Sequence, residues 1–444
     1  MAKEIQLSEH FTYKKLLQFT LPSIVMMVFS MIYGVADGIF VSNFVGKTSF
    51  VAVNLIMPLL NIFATVGLMV GTGGSALIAK TLGEGDREKA NGIFSMLVYL
   101  LIGIGIALSM VCLIFLRDIS IWIGAEGDVV DDCVTYGSIL LFAMPAFLLQ
   151  NAFQTFFVTA DKPRLGLIIT VVAGVANILL DCILVIGLRL GLPAAAITTS
   201  IGQLIGGIVP LMYFARKNGS MLRLTKPWFN GTALTKSLSN GLSEFVTNAS
   251  MSIVGLVYNF QLLKYVGNDG IAAYGVIMYV AFIFTGVFLG YSMGIMPVVG
   301  YNFGADNHGE LRSLFHKSLL LIGIGGIILT ATAIITATPL ARIFVGYDIG
   351  LLALTSNAFR LYALSFLVTG FNQFGTAFFT GLNNGFVSGG LSFSRTMIFE
   401  IGCVLILPAV FEINGIWLSI TYAELMTLVL TSICFFVFKP KYHY

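Results

Sequence analysis

"VANILLDCILVIG", from Val175 to Gly187, sets a carboxylate, Asp181, and an amide, Asn177, into a run that is otherwise apolar. The run does not alternate with the period of a half-buried strand, and it is too apolar for a surface helix. It is typical of the chain. Of 444 residues, 57% are hydrophobic and 10% are charged, whereas a soluble domain carries about a quarter charged residues. Lipid is therefore expected to be the main solvent, and the apolar runs to be membrane-spanning helices. The predicted fold class is an all-α membrane protein with twelve transmembrane helices in two pseudo-symmetric six-helix lobes. The spans are expected at 16–41, 52–80, 91–116, 133–158, 165–188, 193–214, 237–263, 271–300, 314–338, 352–380, 386–410 and 414–438. The longest connector divides the chain into an N-terminal lobe (1–215), a linker (216–236) and a C-terminal lobe (237–444).

Sidedness follows from the basic residues. With both termini in the cytoplasm, the inner segments hold 17 Lys/Arg and the outer ones 5, with Arg360 and Arg395 inside spans. This bias predicts an N-in, C-in multi-pass protein of the cell membrane. No cleavable signal is visible, so the first apolar run is expected to be retained. The halves repeat. A shift of 221 positions brings Val45-Gly46 onto Val266-Gly267, Gly73 onto Gly294, Gly83 onto Gly304, and "NAFQTFFVTA" from Asn151 near "NQFGTAFFTG" from Asn372. Six spans per half give both copies the same orientation, as in transporters whose two lobes rock about a central cavity.

Carboxylates at bilayer depth cost about 2.5–3.5 kcal/mol each on insertion scales, so those present are expected to have partners or a task. Asp37 lies about 21 residues into the first span and Asp181 about 16 into the fifth, both rising from the cytoplasm to the outer half. Asn177 shares a helix face with Asp181. Thr198, Thr199 and Tyr136 reach a similar depth. These oxygens could share a proton or hold a dehydrated Na⁺ at Asp37, Asn177 and Asp181. A structural lock is the alternative. Pro22 removes a hydrogen bond early in the first span and could let that helix bend.

At the positions matching Asp37 and Asp181 the second half carries Tyr258 and Gly402. Its own charges are Glu244, Arg360, Arg395, Glu400 and Glu424. For the last four, internal pairing is expected, with Arg395 and Glu400 on one helix. Glu244 could attract a cationic substrate to an inward-open cavity or simply be part of a solvated helix end; Asn151 and Asn372 are further candidates for the cavity. The five cysteines lack metal or redox spacing, and no basic stripe interleaved with aromatics suggests nucleic acid. Phe (37) and Met (17) are abundant. They suit a greasy cavity or lipid contact equally well, so no substrate-binding aromatic is named.

Taken together, "LPSIVMMVFSMIYGVADGIFV" (21–41), "GEGD" (83–86), "NILLD" (177–181) and "YNFGAD" (301–306) resemble the multidrug and toxic compound extrusion (MATE) family, most closely its bacterial, MepA-like branch. The resemblance implies export of diverse, often cationic organic compounds in exchange for H⁺ or Na⁺, without a cofactor or catalysis, by a protein expected to be a monomer. It maps the family's cation site onto Asp37, Asn177 and Asp181, with Thr199, Tyr136 and Pro22 in support. Tyr258 stands where some branches carry a second-lobe acid. A lipid-linked oligosaccharide flippase is the alternative on the same architecture, but such a protein would line its cavity with several cations. An intramembrane aspartyl protease is remote, because Asp37 follows Ala36 and Asp181 follows Leu180 rather than the Tyr and Gly such sites use.

Overall fold

The structure, a computed structural model, describes residues 5–444 apart from 227; the side chains of 35–39, 41–43 and 47 lie outside the described residues. No strand occurs among the described residues. The first half consists of α1 (Tyr13–Phe44), α2 (Lys47–Gly83), α3 (Arg87–Trp122), α4 (Asp128–Thr159), α5 (Pro163–Gly187) and α6 (Leu192–Ala215). The second consists of α7 (Gly231–Tyr265), α8 (Asn268–Gly304), α9 (His308–Val345), α10 (Ile349–Ala363 and Phe366–Gly381), α11 (Gly385–Ile406) and α12 (Pro408–Tyr442). Ten of these helices are long and apolar enough to cross a membrane, and α10 makes an eleventh if its two parts, bent by 48°, form one span. The twelfth expected span falls on α7. Its apolarity falls short because Ser237, Asn240, Ser243 and Ser250 turn inward and are buried. That polar face belongs between protein surfaces, while Leu256 and Phe260 of the same helix are exposed.

Many boundaries follow from local chemistry. Asp86, the last residue of "GEGD", caps α3 by accepting from Lys89 N at 3.0 Å, and Asn307, 221 positions on, caps α9 by accepting from Glu310 N at 3.1 Å. Gly46 and Gly267, also 221 apart, turn the chain from α1 to α2 and from α7 to α8 at φ 121° and 82°. L side chains rarely adopt this region, which explains why glycine recurs at that place.

The repeat also governs how the halves meet. A Cβ on Gly73 of α2 would lie 1.9 Å from Ser237 O and 2.4 Å from Gly241 N of α7, and one on Gly294 of α8 would lie 3.1 Å from Thr20 Cα of α1. Position 294 is 73 shifted by 221, and 241 is 20 shifted likewise. At the axis itself a Cβ on Gly83 would lie 2.0 Å from Tyr301 O, and one on Gly304 would lie 2.0 Å from Lys80 O. Residue i thus meets j while the copy of j meets the copy of i, the signature of a two-fold contact. These contacts use the early turns of α1 and α7 and the late turns of α2 and α8. All lie toward the end of the bundle that carries both termini.

Each half also lends residues to its neighbour's core. Leu7, Phe11, Leu16 and Phe19 are buried in the apolar cluster of the second half, and Leu222 and Ala233 in that of the first. Ahead of α1, residues 7–11 strap the halves together. Leu7 N donates to Asp161 Oδ1 (3.0 Å), beyond the end of α4, and Phe11 N to Glu310 Oε1 (2.8 Å) of α9. His10 Nδ1 stands 2.5 Å from Glu310 Oε2, and Lys317 Nζ donates to Phe11 O. Glu310→Ala removes a carboxylate that serves two groups of the strap. Hydrogen bonds to charged groups contribute about 1.5–3 kcal/mol each, so the Phe11 amide should exchange with solvent on the order of tenfold to a hundredfold faster in the variant. Unchanged exchange would show that the strap is held by its apolar residues alone.

Candidate functional site

Asp181 ends the α-helical part of α5 and opens a π-helical turn, Asp181–Gly187. Insertions of this kind re-aim side chains and are common at functional sites. Only 1% of its surface is accessible. Its Oδ1 accepts from Thr198 Oγ1 of α6 at 2.5 Å. Four residues earlier, Asn177 packs on α6 where Gly202 allows close approach, a Cβ there lying 3.5 Å from Asn177 Cβ. Two i, i+4 pairs therefore face each other across antiparallel helices, Asp181 with Thr198 and Asn177 with Gly202. Asp181 Oδ2 and both amide atoms of Asn177 are buried and have no hydrogen-bond partner among the described residues. Leaving such groups unsatisfied costs about 1–3 kcal/mol each, and more for charged ones. The arrangement is therefore prepared to bind something polar.

The other expected members fall around this pair. Tyr136 of α4 is fully buried, and Ser200 Oγ of α6 donates to Ile139 O at 3.3 Å, which sets Tyr136 and the Thr198–Thr199 turn at similar levels. Thr199 Oγ1 donates to Ala195 O at 3.0 Å; the hydroxyl on Asp181 belongs to its neighbour Thr198. On α1, the rings of Phe29 and Tyr33 lie 2.6 and 3.3 Å from where a Cβ on Gly174 of α5 would be. The Asp37 side chain lies outside the described residues. Pro22 is buried in an unbroken helix, between the Thr20 contact with Gly294 and the Ile24 contact with Gly290. Asn151 turns back on its own helix, donating to Phe147 O at 2.8 Å.

In the second half the charges form a different network. Arg395 Nε donates to Glu424 Oε1 at 3.0 Å and Nη2 to the same oxygen. Asn372 Nδ2 donates to Glu424 Oε2 at 2.6 Å, and Thr431 Oγ1 to Asn372 Oδ1 at 3.2 Å. Asn372 is thus a buried part of this network, and Arg395 pairs with Glu424 of α12 rather than with Glu400 on its own helix. Arg360 Nη2 reaches Thr338 Oγ1 of α9 at 3.2 Å. A cavity of about 270 Å³ lies within this half, walled by α7, α8, α10, α11 and α12, with Tyr274, Tyr362, Arg395 and Glu400 on its lining. A smaller space beyond it is lined by Glu244 and, from the first half, Thr72; Arg395, Gln373 and Thr247 border both. Glu244 accordingly sits where the halves meet.

Sequence reasoning missed the aromatic wall of this cavity. The bend in α10 that swings Tyr362, Ser365 and Phe366 inward has no proline or glycine to announce it. No group of three or more His, Cys, Asp or Glu suited to a metal ion occurs among the described residues.

Comparisons with known proteins agree with this architecture. The MatE family model matches residues 22–183 and again 245–405, once in each half. The multidrug export protein MepA of Staphylococcus haemolyticus (strain JCSC1435) is 25% identical over 421 residues, covering 93% of this chain and 90% of that protein. MepA of Staphylococcus aureus (strain MRSA252) is 24% identical over 431 residues, covering 95% and 91%. A solved structure described as the outward-facing conformation of a multidrug resistance MATE family transporter of the MOP superfamily is similar, with a TM-score of 0.92 at 21% identity over 99% of each chain.

Proposed function

The chain belongs to the MATE family, whose members are transporters and not enzymes, and on that premise we propose that it is a multidrug exporter. It exchanges organic compounds, often cationic and hydrophobic, for H⁺ or Na⁺ across the cell membrane. Both termini face the cytoplasm, and residues 1–215 and 237–444 act as two lobes joined by 216–236. The observation that carries this reading is Asp181: a buried carboxylate with one oxygen engaged by Thr198 and the other, like the neighbouring Asn177 amide, without a hydrogen-bond partner among the described residues. Such a set of oxygens suits a proton or a small cation. Asp37 is assigned to the same site from its place in the sequence. Tyr33 of α1 meets α5 at Gly174, so the two helices that carry the assigned acids pack against each other.

Contact between the halves supports alternating access. Among the described residues it is concentrated toward the end where the strap lies and where Gly83 meets Tyr301. Given cytoplasmic termini, the contact between the halves lies on the inner side. Cation uptake at Asp37 and Asp181 then moves α1, which Pro22 frees from one backbone hydrogen bond, and drug leaves outward. Coupling requires that cation and drug favour different states. A flippase reading gains nothing from the second half. The arginine that lines its cavity is already paired with Glu424, which leaves little for a pyrophosphate.

The test is dye efflux from proteoliposomes under separately imposed pH and Na⁺ gradients. One gradient alone is expected to drive efflux at least about tenfold above leak. No acceleration by either gradient would end the exporter reading.

A further inference from the structure

We infer that the linker between the halves is a docking surface for anionic phospholipid headgroups of the inner leaflet, with Arg223 and Lys226 at the phosphates and Trp228 and Phe229 at the acyl boundary beneath them. Such a surface follows from the spans and the cytoplasmic termini, whatever the protein exports.

The linker is not a loose tether. Leu222 is buried in the core of the first half, and Leu224 N donates to Phe214 O of α6 at 2.9 Å. The same segment runs along the first turns of α3. Arg87 Nη2 donates to Ser220 O (2.8 Å) and its Nε to Met221 O (3.1 Å). Arg223 N donates to Asn91 Oδ1 and Thr225 N to Ser95 Oγ, both at 2.8 Å. Asn230 N ends the run 3.4 Å from Met96 Sδ, and Trp228 lies over Gly92, where an added Cβ would stand 3.7 Å from the Trp228 Cβ. These contacts fix the depth. Helix α3 has 36 residues and is about 54 Å long, against a hydrocarbon layer of about 30 Å. Counted back from Arg117, the first charge at its outer end, about 20 residues fill that layer and reach Leu97. The stretch from Arg87 to Met96, which carries the linker, therefore lies among the headgroups. With 33% of its apolar window buried, α3 is also a peripheral helix.

What the linker presents at that level decides the partner. Residues 216–236 include Arg216, Lys217, Arg223, Lys226 and Lys236 and no Asp or Glu. All five cations are exposed, and none forms an ion pair with a described residue. A cleft of about 450 Å³ with Lys89, Lys226 and Trp228 on its lining gives a phosphodiester room beside the cations. Asp86 and Glu88 share that lining, but Arg87 and Lys89 balance them, and Asp86 is already engaged as the cap of α3. The five charges of the linker thus remain at the inner surface, where each basic residue strengthens the hold on anionic lipid about fivefold. Trp228 and Phe229, beside them, are both more than half exposed. Water is a poor solvent for these rings. The acyl boundary takes the apolar body and leaves the indole N–H to the headgroups. Because α3 and α6 hold the backbone, little ordering is needed before lipid arrives.

The experiment uses the full chain in nanodiscs, with the emission of Trp228 taken as the difference between the parent chain and Trp228→Phe. Phosphatidylglycerol and phosphatidylcholine, each spin-labelled near the top of the acyl chain, serve as quenchers. Both should quench Trp228, with a preference for phosphatidylglycerol of about tenfold or more. Arg223→Gln combined with Lys226→Gln should cut that preference about fivefold or more. A second measurement needs no double variant: raising the salt from about 0.1 M to about 1 M shortens the screening length from about 10 Å to about 3 Å and should erase most of the preference. Equal quenching by the two lipids at low salt overturns the surface, as does a preference unchanged in the double variant or at high salt. Quenching of Trp228 by iodide in the water and by neither lipid overturns it too, and turns this face toward a soluble acidic partner.

Discussion

Asp181→Asn should reduce gradient-driven dye efflux from proteoliposomes to the level of leak, a loss of about tenfold to a hundredfold, without lowering the melting temperature. The two halves of this expectation come from the same geometry. Asn keeps an oxygen that can accept from Thr198 Oγ1, so the 2.5 Å contact between α5 and α6 survives. It also removes an ionisable group that costs about 2.5–3.5 kcal/mol at bilayer depth. Losing the charge on a hydrogen bond forfeits about 1 kcal/mol, so the balance leaves the fold as stable or more so. What disappears is the ability to take up a cation. Thr198→Val should act more mildly, because it removes a hydrogen bond to the carboxylate but not the carboxylate itself. If Asp181→Asn pumps normally, the coupling role is gone. If it melts well below the parent chain and pumps in proportion to folded protein, Asp181 is a structural lock.

How far the sequence could carry this reading differs from element to element. The long apolar spans were legible because lipid demands them, and the repeat because equivalent turns need the same residue: Gly46 and Gly267 both sit at positive φ. Asp181 and Asn177 stood out because a carboxylate in hydrocarbon has few bland explanations. The partner hydroxyl was less legible. Thr198 and Thr199 are adjacent on α6 and differ in the face they occupy, and only Thr198 is turned to Asp181. The second half hid more. An α-helical reading places Arg395 and Glu400 on diverging faces or as a local pair, whereas the π-segment and the bend in α10 bring Glu400, Tyr362 and Tyr274 to one cavity. Neither irregularity is signalled by Pro or Gly. The exchange of Leu16 and Phe19 into the other half's core was likewise invisible, because an apolar residue looks the same whichever core receives it.

Gly83→Ala combined with Gly304→Ala should open the strapped end of the molecule and stop the transport cycle. At both positions a Cβ would fall 2.0 Å from a backbone carbonyl oxygen of the opposite half, Tyr301 O and Lys80 O. Real Cβ atoms do not come so close, and no side-chain rotation relieves a clash with backbone. The helices α2 and α8 must part there. Overpacking costs about 1–3 kcal/mol per site in a closed core, but a hinged bundle has a cheaper response, which is to leave the closed state. Two such clashes at one axis amount to about 2–6 kcal/mol against closure, enough to turn a closed population of ninety-nine in a hundred into a minority at the upper end of that range. Spin labels at Glu84→Cys and Ala305→Cys, both exposed beside the contact, should report a longer distance in the double variant, and gradient-driven efflux should fall by about tenfold or more. The single variants should each shift the distance part of the way, and by similar amounts, since the two glycines are equivalent about the axis. A distance unchanged in the double variant, with efflux intact, would mean that α2 and α8 already stand apart there in the working protein, and closure of the strapped end would then have to be sought elsewhere.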